Sequence, residues 1–382
     1  MLEGIRIVDM TSIVFGPYAT QMLADMGADV IKVEPPTGDQ MRQAGRPRAT
    51  PRMGPVHMTL NRGKRSIALD LKAPSDAATM RRLLATADVF IHNVRGAAIE
   101  RLGFGYAAIR TIRPDVVYVH CTGFGSGGPY SALQAYDDVI QAASGAATLL
   151  PRADGDPRPR YIPSLIADKV AGLYGAQAVL AAIVHRLRTG EGQFVEVPMF
   201  ESFAHFLLQE HLFGAVFEDP IEPAGYPRQV DPQRQPFPAS DGYVSIVPYT
   251  PDTVVRTFEV LGAPEVLAEA RFATPLDRLR NITQLYAEIA ARTPARRCAE
   301  WVERMNAAGV PCMKVRDLAD LREDPHLAAT GFFRSREHAS EGGYVEMPLP
   351  IRFAATPAMP AAPPPVLDEH GPAIRAELAG QS

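Results

Sequence analysis

The chain has 382 residues, a formal net charge of −4 and 46% hydrophobic residues, long enough to bury a large core as one big domain or two. The charge balance supplies no basic field, which excludes nucleic acid as the expected partner. Cys121, Cys298 and Cys312 are an odd count without metal-ligand spacing, and they fit a reduced, cytoplasmic setting.

The chain order predicts strands alternating with helices. Residues 5–9 (IRIVD) alternate as a strand, residues 18–26 carry helical spacing that Gly27 stops, and residues 29–33 (DVIKV) form a second strand. That βαβ unit implies a parallel sheet. Strands over 66–69, 89–92 and 116–122 follow, with helices over 74–86 and 106–112 and a short helical piece carrying Arg101. The arginine-rich stretch 42–52 reads as a surface loop. The pattern is that of a doubly wound α/β domain, whose ligands bind in loops at the carboxyl ends of the strands. Those loops are TSIVFGP, LNRGKR, NVRGA and GFGSGGP.

From Asp168 to Arg188 nothing interrupts a helix except small residues, and Gly190 stands where it should stop. Ala171, Gly172, Gly175, Ala176 and Ala178 make this helix thin enough for another backbone to approach closely. Asp168 falls at its N-terminal pole, where the dipole favours an ionised carboxylate. In a dry pocket such a group is a nucleophile; the plain alternative is a helix cap. A strand over 193–197 and a helix over 199–211 come next. The proline-rich stretch 218–238 reads as a linker to a second region running to about 319, and the tail 348–365 as extended chain on a surface. The sequence opens on a strand pattern rather than a signal peptide, and the apolar run 170–184 is too short to span a bilayer.

Several chemistries lack their signatures. The nine histidines show no HExxH or other metal spacing, so no metal is expected, and no GxSxG elbow is present. GFGSGGP lacks the Lys-Ser/Thr of a P-loop and the spacing of a dinucleotide turn, so it reads as a place where backbone approaches a ligand or a strand. NRGKRS and NVRGAAIER put basic residues beside loop glycines, as an anionic ligand or a solvated loop would require.

Taken together, GIRIVDMTSIVFGPYATQMLADMGADVIKVEPPTGDQMR, NRGKRSIALDLK, NVRGAAIERLGFGY, GFGSGGP, YDDVIQAASG and the Asp168 helix closing with RTGEGQFVEVPMFES resemble the class III CoA-transferases. That is the family of formyl-CoA transferase and carnitine CoA-transferase, to which α-methylacyl-CoA racemase also belongs. The likeness runs the length of the chain, through EWVERMNAAGVP to PPPVLDEHG. It implies a Rossmann-like large domain from residues 1–215 completed by 321–382, a smaller α+β domain over 225–320, and an interlaced homodimer of ring-shaped subunits. It implies that Asp168 is the nucleophile and that Ile13 and Val14 line the thiol end of coenzyme A. Leu60, Asn61 and Lys64 would hold the adenine and its phosphates, Arg101 the diphosphate, with Asn93 and Tyr136 in the same site. Coenzyme A would enter as the acyl-CoA substrate, with no metal, membrane or nucleic acid involved.

Three departures accompany the likeness. The family's NFRPG is here NVRGA, a glycine run that covers the site in formyl-CoA transferase has no counterpart between 224 and 242, and Val14 stands where many transferases have Gln. The racemase branch needs a histidine at position 136, where this chain has Tyr136, a poor base near neutrality. The expected chemistry is attack of Asp168 on an acyl-CoA thioester, with glycine-loop N–H groups such as those of GFGSGG stabilising the oxyanion. Arg42, Arg46, Arg48 and Arg52 are expected either to hold a second substrate carboxylate or to be solvated. An isomerase on the same fold and a non-catalytic acyl-CoA binding protein are the other two readings.

Overall fold

Six short runs rich in Val, Ile and Phe build one parallel sheet: β1 (Arg6–Met10), β2 (Asp29–Glu34), β3 (Lys64–Ala68), β4 (Val89–His92), β5 (Val117–Thr122) and β6 (Gln193–Pro198). Their order is β3-β2-β1-β4-β5-β6, and every neighbouring pair is parallel. Ile7, Val8, Ile31, Ile67, Phe90, Ile91 and Val119 are fully buried, as a sheet covered on both faces demands. The chain leaves β1 toward one edge and returns at β4 toward the other. The crevice where that direction reverses is where doubly wound sheets bind ligands. The computed structural model describes residues 1–356 and 361–380, and these fall into two units.

Unit 1 comprises residues 1–146, 161–207 and 328–382 and contains the parallel sheet. Helix α1 (Phe15–Asp25) begins three residues before the spacing predicts. Pro17 falls in its first turn, where a missing N–H costs nothing. Helix α2 (Asp137–Ala143) is short, and helix α3 (Ile166–Thr189) runs 24 residues to a left-handed Gly190 at φ 77°. A Cβ on Gly172 would lie 2.9 Å from the Phe15 carbonyl oxygen, and one on Gly175 would press within 3.3 Å of Ala19. The small residues of α3 thus let its first turns lie directly on the first turns of α1. By length and composition α3 could cross a membrane, contrary to the expectation from the shorter apolar run, but 44% of its apolar window is buried inside the protein.

An antiparallel hairpin (334–338 with 342–346) and the C-terminal Gly371–Ala379 helix complete unit 1. Arg6 and Arg65 both pair with Asp29 and with Glu377, tying the C-terminal helix to the sheet. The tail docks by its backbone: the Pro365 carbonyl accepts from buried Arg42 and pairs with His57. Residues 357–360 of that expected extended tail lie outside the described residues.

Unit 2 comprises residues 147–160 and 208–327. A three-stranded antiparallel sheet, β7 (Phe237–Ala239), β8 (Gly242–Ile246) and β9 (Cys312–Lys314), carries helices α4 (Pro251–Leu261), α5 (Ile282–Arg292) and α6 (Cys298–Ala307). The core gathers Phe258, Phe272, Leu285, Trp301 and Met305, and the Trp301 indole N–H is satisfied by the Thr293 carbonyl at 2.7 Å. Pro238 sits in β7, an edge strand, where its missing N–H breaks no ladder.

Candidate active site

At the reversal between β1 and β4, Asn93 joins the two strand ends. Its Oδ1 accepts from the Ser12 N–H at 3.0 Å and its Nδ2 donates to the Ser12 carbonyl at 2.8 Å. Two cavities open here, of about 300 and 600 Å³, and they share Ser12, Gln40, Asn93 and Arg95. Their size suits a small molecule or cofactor. The first is lined by Ile13, Phe15, Thr122, Gly123, Tyr136 and Asp168 among others; the second runs over Pro35–Asp39, Leu69–Lys72 and Val94–Arg95.

Asp168 is the third residue of α3 and 5% exposed, with its carboxylate on the first cavity. It does not cap its helix. Asp137, the first residue of α2, does so from outside: its Oδ1 accepts from the N–H groups of Ala167 at 2.7 Å and Asp168 at 3.1 Å. The capping alternative is therefore answered by a different residue. Burial, reinforced by the Asp137 charge, pushes Asp168 up to about 6, against a lowering hydrogen bond from the Phe15 backbone. The dipole argument alone pointed the other way; desolvation and a like charge outweigh it. At neutral pH the group is still mostly ionised and more basic than a free aspartate.

The Phe15 N–H belongs to the open first turn of α1, whose N-cap Val14 offers no side-chain hydrogen bond. Ile13 just before it has φ 71°, a left-handed conformation that a β-branched residue adopts only when held. The holding group is Asp39, which accepts from the Ile13 N–H at 3.2 Å and from buried Lys32 at 2.9 Å. Lys32 also donates to the Thr11 carbonyl, and Thr11 and Thr20 donate to Asp9. Lys64 closes the layer on Asp9 at 3.2 Å, on the Pro17 carbonyl at 3.0 Å and on Asn61 at 2.9 Å. A fully enclosed set of charges on β1, β2 and β3 thus fixes the loop that aims the α1 N-terminus.

The expected site residues divide accordingly. Asp168, Ile13, Asn93 and Tyr136 line one cavity. Val14 is buried at 3% exposure and lines neither cavity. Leu60, Asn61 and Lys64, expected at the adenine, are buried away from both cavities, and Asn61 spends its amide on His57 and Lys64. Arg101 is exposed at the end of a short helix and lines neither cavity. Arg42, read as surface, is buried in a two-pronged pair with Glu34 at 2.6 and 2.7 Å. The glycine loop is not free to hold an oxyanion at Gly125 or Ser126, because Glu201 and Glu196 already accept from their N–H groups. The sequence reading reached Arg95 only as part of NVRGAAIER and did not single out Lys72, Gln40 or Thr122. Thr122 has a buried hydroxyl without a partner among the described residues. Thr122 ends β5, and Gln40, Lys72 and Arg95 lie in the segments after β2, β3 and β4, which is the signal that identifies them.

Other groups at the site narrow its chemistry. Cys121 lines the first cavity, but burial holds its thiol protonated, far above the ordinary range. No histidine lines either cavity. Among the described residues no group of three His, Cys, Asp or Glu is placed to hold a metal ion.

The profile of CoA-transferase family III matches residues 2–371. The chain belongs to this family. As a family III CoA-transferase it is an enzyme that transfers coenzyme A between an acyl-CoA and a carboxylate. It is 31% identical to succinate–glutarate CoA-transferase of Agrobacterium fabrum, over 99% of this chain and 95% of that protein. It is 32% identical to formyl-CoA:oxalate CoA-transferase of Streptomyces avermitilis, over 97% and 93% respectively. Among solved structures, a CAIB/BAIF family protein from Brucella suis superimposes with a TM-score of 0.83 at 31% identity, covering 99% of both chains.

Proposed function

We propose that Asp168 carries the transfer covalently. Its carboxylate oxygen attacks the thioester carbon of the donor acyl-CoA; the C–S bond breaks, leaving an aspartyl anhydride and the CoA thiolate. The thiolate then attacks the aspartyl carbonyl, expelling the donor acid and forming an aspartyl-CoA thioester. An acceptor carboxylate attacks that thioester, giving a new anhydride and again the thiolate. The thiolate takes the acceptor acyl group and returns Asp168 as carboxylate. No ATP is needed, because each intermediate conserves the thioester's free energy. The observation that carries this reading is a 5% exposed carboxylate on a cavity, freed from capping by Asp137 and raised to about 6.

The Phe15 N–H at the α1 N-terminus is read as the donor that faces the oxygen developing on Asp168. The second cavity is read as the coenzyme A channel, with Lys72 and Arg95 facing its phosphates in place of Lys64 and Arg101. Relatives acting on succinate, glutarate and oxalate support a dicarboxylic substrate here. An α-proton isomerase is disfavoured by Tyr136, because no second base is at hand. Residues 1–215 with 321–382 are read as the large domain and 225–320 as the small one. The protein is read as an interlaced cytoplasmic dimer, the dimer supported by exposed apolar side chains on unit 1, among them Leu133, Val184, Leu187 and Phe194. The test is mass analysis of the Asp168 peptide after borohydride or hydroxylamine trapping during turnover. Unmodified peptide from an enzyme that turns over would refute the covalent route.

A further inference from the structure

Two guanidinium groups of unit 2 that lack a carboxylate partner among the described residues share the wall of one cavity. Most arginines of unit 2 have a carboxylate or carbonyl partner: Arg256 on Asp252, Arg271 and Arg292 on Glu288, Arg316 on Asp324, Arg152 on the Ala224 carbonyl. Arg228 and Arg234 form no ion pair with any carboxylate among the described residues. Both line a cavity of about 170 Å³ whose walls include Phe237, Ile246, Pro248 and Tyr286.

We propose that this cavity is a binding site for a short-chain carboxylate, gripped by the Arg228 and Arg234 guanidinia. Arg228 is prepared for that task. Its Nε donates to the Tyr286 hydroxyl at 3.3 Å, and its guanidinium lies over the Tyr249 ring at 4.6 Å. Those two contacts fix the plane of the group and leave its two terminal nitrogens free. They form the fork that matches a carboxylate's two oxygens. Arg234 is held through one terminal nitrogen by Gln229 at 2.6 Å, leaving a second positive group at the rim. Phe237 and Ile246, each 4% exposed, give the floor an apolar character suited to a few methylene groups. At about 170 Å³ the cavity is the smallest of those described, as a short ligand requires. A fixed, half-buried cation with no counter-ion raises the free energy of the empty state, which a ligand carboxylate relieves.

The site stands on unit 2 alone and does not depend on covalent chemistry at Asp168. The test is calorimetric titration of glutarate, without coenzyme A, into the full-length Asp168→Asn protein. The same titration is made with Arg228→Gln and Arg234→Gln added, and with Arg228→Lys alone. Glutarate is expected to bind, to weaken about tenfold or more in the double variant, and to weaken less with Lys, which keeps the charge but not the fork. Absence of binding, or equal affinity in folded wild-type and double variants, would overturn the site. Displacement of glutarate by inorganic phosphate at equal affinity would overturn the carboxylate assignment. In the Asp168-containing enzyme, an acceptor KM that rises with the weakened binding makes the ligand the transfer substrate. An unchanged KM makes it a separate effector carboxylate, and either outcome requires the site.

Discussion

Replacing Asp168 by Asn separates what the residue does for catalysis from what it costs the fold. The side chains are nearly isosteric, and the amide oxygen can still accept from the Phe15 N–H. What disappears is a charge that the site resists. The rise from 3.8 to about 6 corresponds to roughly 3 kcal/mol of preference for the neutral form. Because the folded-state value lies above the unfolded one, this group's stabilising contribution is complete below about pH 4 and is lost as pH rises through about 6. Asn, neutral throughout, never loses it. The variant is therefore expected to exceed the wild type in stability by roughly 1 kcal/mol at pH 4.5 and roughly 3 kcal/mol at pH 8. Urea unfolding at those two pH values, at matched protein concentration, measures the difference. Transfer should be abolished while acyl-CoA binding persists. A variant less stable than wild type at pH 8, or an advantage independent of pH, would refute the claim that burial and Asp137 destabilise the charge.

The same pKa predicts that the acyl-CoA kcat/KM rises with pH through about 6 and then levels; a profile flat from pH 5 to 8 would count against Asp168 as the reacting carboxylate. Lys64→Met is expected to lower stability by about 3 to 5 kcal/mol, because Asp9 is left buried with one cation fewer. The folded fraction should keep its affinity for coenzyme A, whereas weakened affinity with intact stability would restore Lys64 to the adenine. Ile13→Gly should leave stability unchanged or raise it by up to about 1 kcal/mol, while slowing transfer as the loop loses its aim. Chemical denaturation paired with initial rates checks both parts, and a large destabilisation would show that Ile13 is not strained.

The sheet could be read in the sequence because short runs rich in Val, Ile and Phe alternate with segments of helical spacing. The thin face of α3 could be read because Gly172 and Gly175 have no other use in a helix. Asp168 was visible for a similar reason, as an acid at the head of an otherwise apolar helix. Spacing could not reveal that Asp137, some thirty residues earlier in the chain, would take over the capping. The buried charges were hidden more deeply. Strand register turns Lys32 and Lys64 inward, and Asp39 and Arg42, in the segment after β2, are buried by pairing with Lys32 and Glu34. A motif containing Lys beside glycine suggests phosphate, and only the packing distinguishes a ligand contact from an internal ion pair. Lys72 lies eight residues further on, at the far end of NRGKRSIALDLK and beside no glycine, yet it lines the second cavity.

Asp137 ties the stability of the fold to the reactivity of the site. Its carboxylate satisfies the first N–H groups of α3 and is itself held by Gln141 at 2.6 Å. That same charge adds to burial in raising Asp168. A nucleophile needs to be ionised at working pH and still basic enough to attack, and a value near 6 meets both demands. Capping by Asp168 itself would have stabilised its charge, lowered its basicity and tied its oxygens to the helix backbone. Capping from α2 leaves those oxygens facing the cavity, and the opposing helix α1 supplies a single N–H to orient them. The strain at Ile13 follows from this arrangement, since the loop must turn sharply to aim α1 at α3. The enclosed charges on β1, β2 and β3 are what keep it turned.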